Sequence, residues 1–137
     1  TIRNTIGTTV GTNVANTGFA TMAQSIIVDI TGASALNQRV AIVPANSQII
    51  DVILNVTTAN TDTGAATVSV GTAADADAFL ATIDVKALAT THGTLDAEAT
   101  NVGTTDLEVL ADFTGANGDG TGVGTVTVVY LQNNNLT

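Results

Sequence analysis

Apolar and polar residues alternate along most of this chain with a period of two, the period of β-strands. Over residues 24–31, Ile26, Val28 and Ile30 fall on one face, with Asp29 and Thr31 on the other. Residues 39–43 predict a short strand stopped at Pro44, the only proline, and residues 44–47 read as a turn. Residues 48–58 predict the strongest strand. There Ile50, Val52, Leu54 and Val56 are expected to face the core, and Asp51, Asn55 and Thr57 to face outward. Ile49 and Ile53 share that outward face, which points to a second packing surface. Residues 66–72 predict a further strand, and 73–81 a short helical turn capped by Asp75 that buries Phe79 and Leu80. Residues 83–89 and 93–100 are weaker, alanine-rich strands. Residues 106–113 set Leu107, Val109, Ala111 and Phe113 on one side, and residues 123–132 do the same with Val126, Val128 and Tyr130. The turn dipeptides Asn117-Gly118 and Asp119-Gly120 lie between them, so these two strands are expected to form an antiparallel hairpin.

About eight short strands separated by turn signals predict an all-β fold, either a jelly-roll-like antiparallel β-sandwich or a small barrel. No amphipathic helix of crossover length appears, which argues against a parallel α/β fold. Residues 1–23 differ from the rest. They are rich in Thr, Gly and Asn, with isolated apolar residues at Ile2, Ile6, Val10, Val14 and Phe19 and no sustained period. They predict an extended N-terminal arm, followed by a sandwich domain over residues 24–137. Alone, such an arm buries too little to offset its ordering entropy. It is expected to lie along its own domain or a neighbour. The candidate interface is therefore Ile2, Ile6, Val10, Val14 and Phe19 of the arm, the outward pair Ile49 and Ile53, and the loop at 115–122, expected to be a mobile tip.

Length and charge narrow the function. A chain of 137 residues fits one domain and is long enough to bury a core without staples. It has no cysteine, so no disulfide and no thiolate metal site is available. The formal net charge is −9, with Arg3, Arg39 and Lys86 as the only cations. Three scattered cations make no basic face, so neither nucleic acid nor an anionic membrane is an expected partner. No run approaches the roughly 18 apolar residues of a membrane span, and no secretory signal is visible at the N-terminus. Aromatics are 3% of the chain, and there is no Trp, which argues against a sugar-binding platform.

Candidate chemistry is sparse. His92 is the only histidine, and its place between Thr91 and Gly93 predicts an exposed turn. No Gly-x-Ser-x-Gly elbow accompanies it. Acid pairs occur at Asp75 and Asp77, Asp96 and Glu98, and Glu108 and Asp112. Their spacing puts each pair on one side of a strand or turn rather than across a cleft. Asn60-Thr61-Asp62 and Asn117-Gly118-Asp119-Gly120 supply hard oxygen atoms that raise the question of calcium, without EF-hand spacing; they read as turns. The glycines of 118–124 lack the helix that a dinucleotide fingerprint needs. Two Asn-x-Thr matches, at Asn55 and Asn135, carry no weight in a chain so rich in both residues. No catalytic residue, cofactor or metal is expected, and the chain does not read as an enzyme.

Residues 44–58 (PANSQIIDVILNVTT) are followed by 68–80 (VSVGTAADADAFL), and 124–131 (GTVTVVYL) come near the end. In this combination the chain resembles the small capsid-decoration, or cement, proteins of tailed phages, including cyanophages, over roughly residues 24–132. The resemblance implies a jelly-roll-like sandwich on the outer surface of a capsid. It implies a homotrimer that clamps neighbouring subunits of the major capsid protein, with the arm running over the shell or into a neighbour. It transfers no catalytic residue. Two other readings stay open on the residues alone: a tail, baseplate or fibre module, and a carbohydrate-binding β-sandwich.

Overall fold

The computed structural model describes residues 19–95 and 102–133. Eight strands follow in chain order: β1 (Phe19–Val28), β2 (Ala35–Val43), β3 (Gln48–Thr58), β4 (Ala66–Gly71), β5 (Leu80–Asp84), β6 (Ala89–His92), β7 (Leu107–Gly115) and β8 (Val123–Asn133). They form two four-stranded sheets, in the orders β1-β8-β3-β6 and β2-β7-β4-β5, and all pairings are antiparallel. Four of the pairs are nested: β4 with β5, β3 with β6, β2 with β7 and β1 with β8. The chain is thus one long hairpin, β1–β4 against β5–β8. It is rolled so that β8 also lies beside β3, and β7 beside β4. That is a jelly roll, the sandwich form expected from the sequence.

The core lies between the sheets. The inward residues of the strongest alternating segments meet there: Val52, Leu54 and Val56 of β3, Val68 and Val70 of β4, Val109, Ala111 and Phe113 of β7, and Val126, Val128 and Tyr130 of β8. Phe79 and Phe113 are the largest fully buried side chains.

Several local expectations change. The hairpin of residues 106–113 with 123–132 does not form, because β7 and β8 belong to opposite sheets. Their alternating faces meet across the core instead of side by side. Alternation says which residues point inward but not which strand is the neighbour. In β3 the register with β8 steps from Ile49↔Tyr130 to Asp51↔Val129, leaving Ile50 unpaired in a bulge. The bulge reverses the phase on its N-terminal side. Ile49 is 1% exposed and Ile50 is 41% exposed. Ile49 is therefore a core residue rather than half of an outward apolar pair, and Ile50 is outward rather than core.

β2 begins at Ala35, before the expected start at Arg39. Two register shifts and a left-handed Asn37 (φ 56°) break its period and hide it from a pattern search. β1 begins at Phe19, so residues 19–23, expected in the arm, pair with β8. Residues 73–79 form no helical turn. Thr72 N–H donates to Asp75 O at 2.7 Å and Phe79 N–H to Val70 O at 3.0 Å, so the segment folds back on β4 as a compact loop. Gly71 makes this possible, since a Cβ there would collide with the backbone of Asp75 and Ala76. Phe79 and Leu80 are buried as expected. The weak strand 83–89 resolves into β5 and β6, while residues 93–95 are not strand and 96–101 lie outside the described residues.

Candidate functional site

With both inner faces spent on the core, the two outer faces of the sandwich and its loop ends remain for function. On the β1-β8-β3-β6 sheet, the register lines up outward residues in rows. One row is Ile27, Thr125, Asn55 and Thr90; the next is Ser25, Thr127, Ile53 and His92; the next includes Ala23, Val129 and Asp51. Ile27 is 75% exposed. Short polar side chains satisfy one another within the face. Ser25 Oγ and Thr127 Oγ1 are 2.7 Å apart, and Thr90 Oγ1 donates to Asn55 Oδ1 at 3.0 Å. The charge in these rows is confined to one place, where His92 Nδ1 meets Asp51 Oδ2 at 2.7 Å. His92 is exposed as expected, but it stands in β6 rather than at a turn. This face has little charge and patches of aliphatic surface, and a partner can dry it at little electrostatic cost.

The β2-β7-β4-β5 sheet has a different outer face. Its rows pair Ile42 with Glu108, Asp112 with Ser69, and Thr114 with Thr67 and Asp84. Arg39 Nη2 donates to Glu108 Oε2 at 3.0 Å, and Asn37 N–H donates to Asp112 Oδ1 at 2.6 Å. The Arg39–Glu108 pair is exposed on both sides, so it contributes little to stability. This is a solvated, predominantly acidic surface.

At one end of the sandwich the two Asn/Asp loops meet, and the loop after β7 is not a free tip. Asp62 is 2% exposed, and its carboxylate accepts N–H bonds from Gly64 (2.6 Å), Gly118 (2.9 Å) and Asn117 (3.3 Å). Asn60, also buried, accepts from Asp62 N–H at 2.7 Å, and its amide donates to Ile30 O. Asp119 accepts from Thr63 Oγ1 at 2.7 Å and Thr63 N–H at 2.9 Å, and those two bonds hold its carboxyl below the usual carboxylate range. The expected mobile tip is hydrogen-bonded into the body. The oxygens that raised the calcium question are used by backbone and hydroxyl donors. Among the described residues, no group of three His, Asp or Glu side chains is placed to hold a metal.

A cleft of about 270 Å³ lies under the 72–79 loop, lined by Thr72, Asp75, Phe79, Val102 and Leu107 among others. Asp75 is the only acid among the described residues that line it. Neighbouring Asp77 has its pKa raised, first because its protonated carboxyl donates a hydrogen bond to Asp75 and then by that group's charge. Both acids sit in an exposed turn, and among the described residues no second carboxylate lines the cleft opposite them. Phe79, Phe113 and Tyr130 are buried, so none of them offers a stacking surface for a sugar.

Of the interface residues expected from the sequence, Ile53 is outward and half-buried on the low-charge face. Ile49 is in the core. Phe19 is placed by its backbone at the start of β1, and Ile2, Ile6, Val10 and Val14 lie outside the described residues. Sequence reasoning missed Ile27, Val129 and the hydroxyls of Thr125 and Thr127 as parts of one surface. The signal was present: the outward positions of the last strand carry no charge from Thr125 to Leu131.

No family model matches the chain, and no curated protein matches it. Among the solved structures that share its fold, two come from phage capsids. One is a chain of the acidic stable capsid structure of the Helicobacter pylori bacteriophage KHP30, with a TM-score of 0.62 and 21% identity over 83% of this chain and 88% of that one. The other belongs to the capsid asymmetric unit of cyanophage Pam1, with a TM-score of 0.56 and 19% identity over 85% of this chain and 88% of that one. The jelly roll described above is therefore a fold also present in two phage capsid structures.

Proposed function

We propose that this chain is a non-enzymatic structural protein of a phage virion. It decorates the outer surface of the capsid and stabilises the shell by clamping neighbouring subunits of the major capsid protein, as a homotrimer. The observation that carries the reading is the contrast between the two outer faces, on a fold found in phage capsid structures. One face is nearly uncharged, suited to close contact; the other is predominantly acidic, suited to solvent.

The net charge of −9 supports the outer surface over the inner one, since packaged nucleic acid repels an acidic protein. Individual contacts on a surface this small are weak. Three copies around an axis present the same contact three times, and the combined attachment exceeds any one of them. A clamp across a junction also resists the outward pressure of packaged nucleic acid without any chemistry of its own.

The test compares shells lacking the protein before and after it is added back. The expected result is a higher temperature of shell rupture, saturating as the protein is titrated. An unchanged rupture temperature at all protein concentrations refutes the clamp. Light scattering on the purified chain is expected to give the mass of a trimer.

A further inference from the structure

Four strands end the two sheets: β1 and β6 in one, β2 and β5 in the other. An open edge presents unpaired N–H and C=O groups, and proteins blunt it with short strands, charge, proline or bulges. β5 and β6 have only five and four residues. β2 is broken by two register shifts and carries Arg39. β1 has none of these defences. It runs ten residues, FATMAQSIIV, in unbroken register from Phe19↔Asn133 to Val28↔Gly124, with no charge and no proline. Among the described residues its only strand neighbour is β8. It also leaves Met22 42% and Ile27 75% exposed.

We propose that the open edge of β1 accepts an added strand, and that this strand is residues 1–18 of a neighbouring copy of the same chain. Three properties of that segment fit the edge. Its apolar residues Ile2, Ile6, Val10 and Val14 are too sparse to make an alternating pattern, but an even number of positions separates them, so an extended strand carries all four on one face. It is rich in Thr and contains no proline, so every residue can pair. Fully extended, 18 residues reach about 60 Å, whereas ten paired residues of β1 occupy about 33 Å, and the remainder is free to cross between copies.

Charge favours a neighbour as the host. Arg3 is the only charged residue before Asp29. From residue 19 onward, twelve acids stand against Arg39 and Lys86, a net charge of −10, while residues 1–18 carry +1. Bodies of two copies repel each other, and the arm is the one part of a copy that another body attracts. Strand addition of this kind supplies backbone hydrogen bonds along the whole edge. An arm-to-edge contact is head-to-tail, and it closes into a ring around a three-fold axis. The proposal rests in this respect on the homotrimer of the proposed function.

The chain has no cysteine, so an introduced pair reports one contact only. Full-length chains carrying Ile6→Cys, Val10→Cys or Val14→Cys and a size tag are mixed with untagged Ala23→Cys chains and oxidised gently. Cross-strand neighbours bring Cβ atoms to about 4.5–5.5 Å, close enough for a disulfide to form with small backbone adjustment. The expected result is a tagged–untagged disulfide as the main product for at least one arm position. It should be absent when the partner is Thr67→Cys on the opposite sheet. If no arm position gives it, the proposal is overturned. It is equally overturned if a doubly substituted chain closes on itself while the mixture does not react, because the arm then covers its own edge. A trimer mass by light scattering without the mixed disulfide removes the strand addition alone and leaves the capsid reading standing.

Discussion

The two outer faces of the sandwich are made by the same device, every second residue of an antiparallel strand, yet they differ in charge. One displays Ile27, Ile53 and Val129 among Ser and Thr hydroxyls, with its charge gathered into the Asp51–His92 pair. The other displays Arg39, Asp84, Glu108 and Asp112 beside an exposed Ile42. Fold stability explains neither choice, because both faces lie outside the core. In a chain carrying twelve acids, a sheet surface with one of them is the face that the proposed function assigns to contact with another protein.

The largest expected effect comes from removing the layer that holds the faces apart. Phe113→Ala opens a cavity at the centre of the core and is expected to cost about 3–5 kcal/mol by denaturant titration, with both faces lost together. Next is the crossover that carries the chain from one sheet to the other. Asp62→Ala leaves the N–H groups of Gly64, Asn117 and Gly118 without their acceptor, and a loss of about 3 kcal/mol is expected in the same measurement.

Substitutions on the faces separate them. Ile53→Lys should shift stability by less than about 1 kcal/mol while weakening capsid binding at least about tenfold, which is about 1.4 kcal/mol of affinity. Glu108→Gln, on the opposite face, should leave both stability and binding within about 0.5 kcal/mol of the original chain.

The smallest effect is on pH dependence. Thr31, through its hydroxyl and then its N–H, lowers the pKa of Asp29, and Thr63 does the same for Asp119. A carboxyl whose folded pKa is depressed contributes stability that is whole above its unfolded value, about 3.9. That contribution is lost as pH falls through the folded value. Asp77 works in the other direction, since its protonated carboxyl donates a hydrogen bond to Asp75 and protonation relieves the repulsion between the two. The thermal midpoint is expected to be level from about pH 7 to 5 and to fall below about pH 4. Asp119→Asn should shrink part of that fall.

Much of the fold was legible because burial imposes a period. Val52, Leu54, Val56, Val109, Phe113, Val126 and Val128 all point where alternation put them. What failed was whatever interrupts the period or lies beyond it. The bulge at Ile50 is one extra residue with no composition signal, and it exchanged the roles of Ile49 and Ile50. The irregular start of β2 is hidden in the same way. The β7–β8 hairpin was a sound local inference from Asn-Gly and Asp-Gly dipeptides, overridden by the rolled topology, which no short window of sequence contains. The buried Asn60 and Asp62 read as ordinary loop residues, because their burial depends on a loop more than fifty positions away. The low-charge face was half visible. Ile53 was found on it, but its width depends on the β1-β8-β3-β6 order.

The most direct test of the contact face is co-sedimentation with shells that lack the protein, comparing the original chain with Ile53→Lys and Glu108→Gln. Saturable binding by the original chain, kept by Glu108→Gln and lost by Ile53→Lys, is the expected result. Equal binding by all three, or none by the original chain, contradicts it.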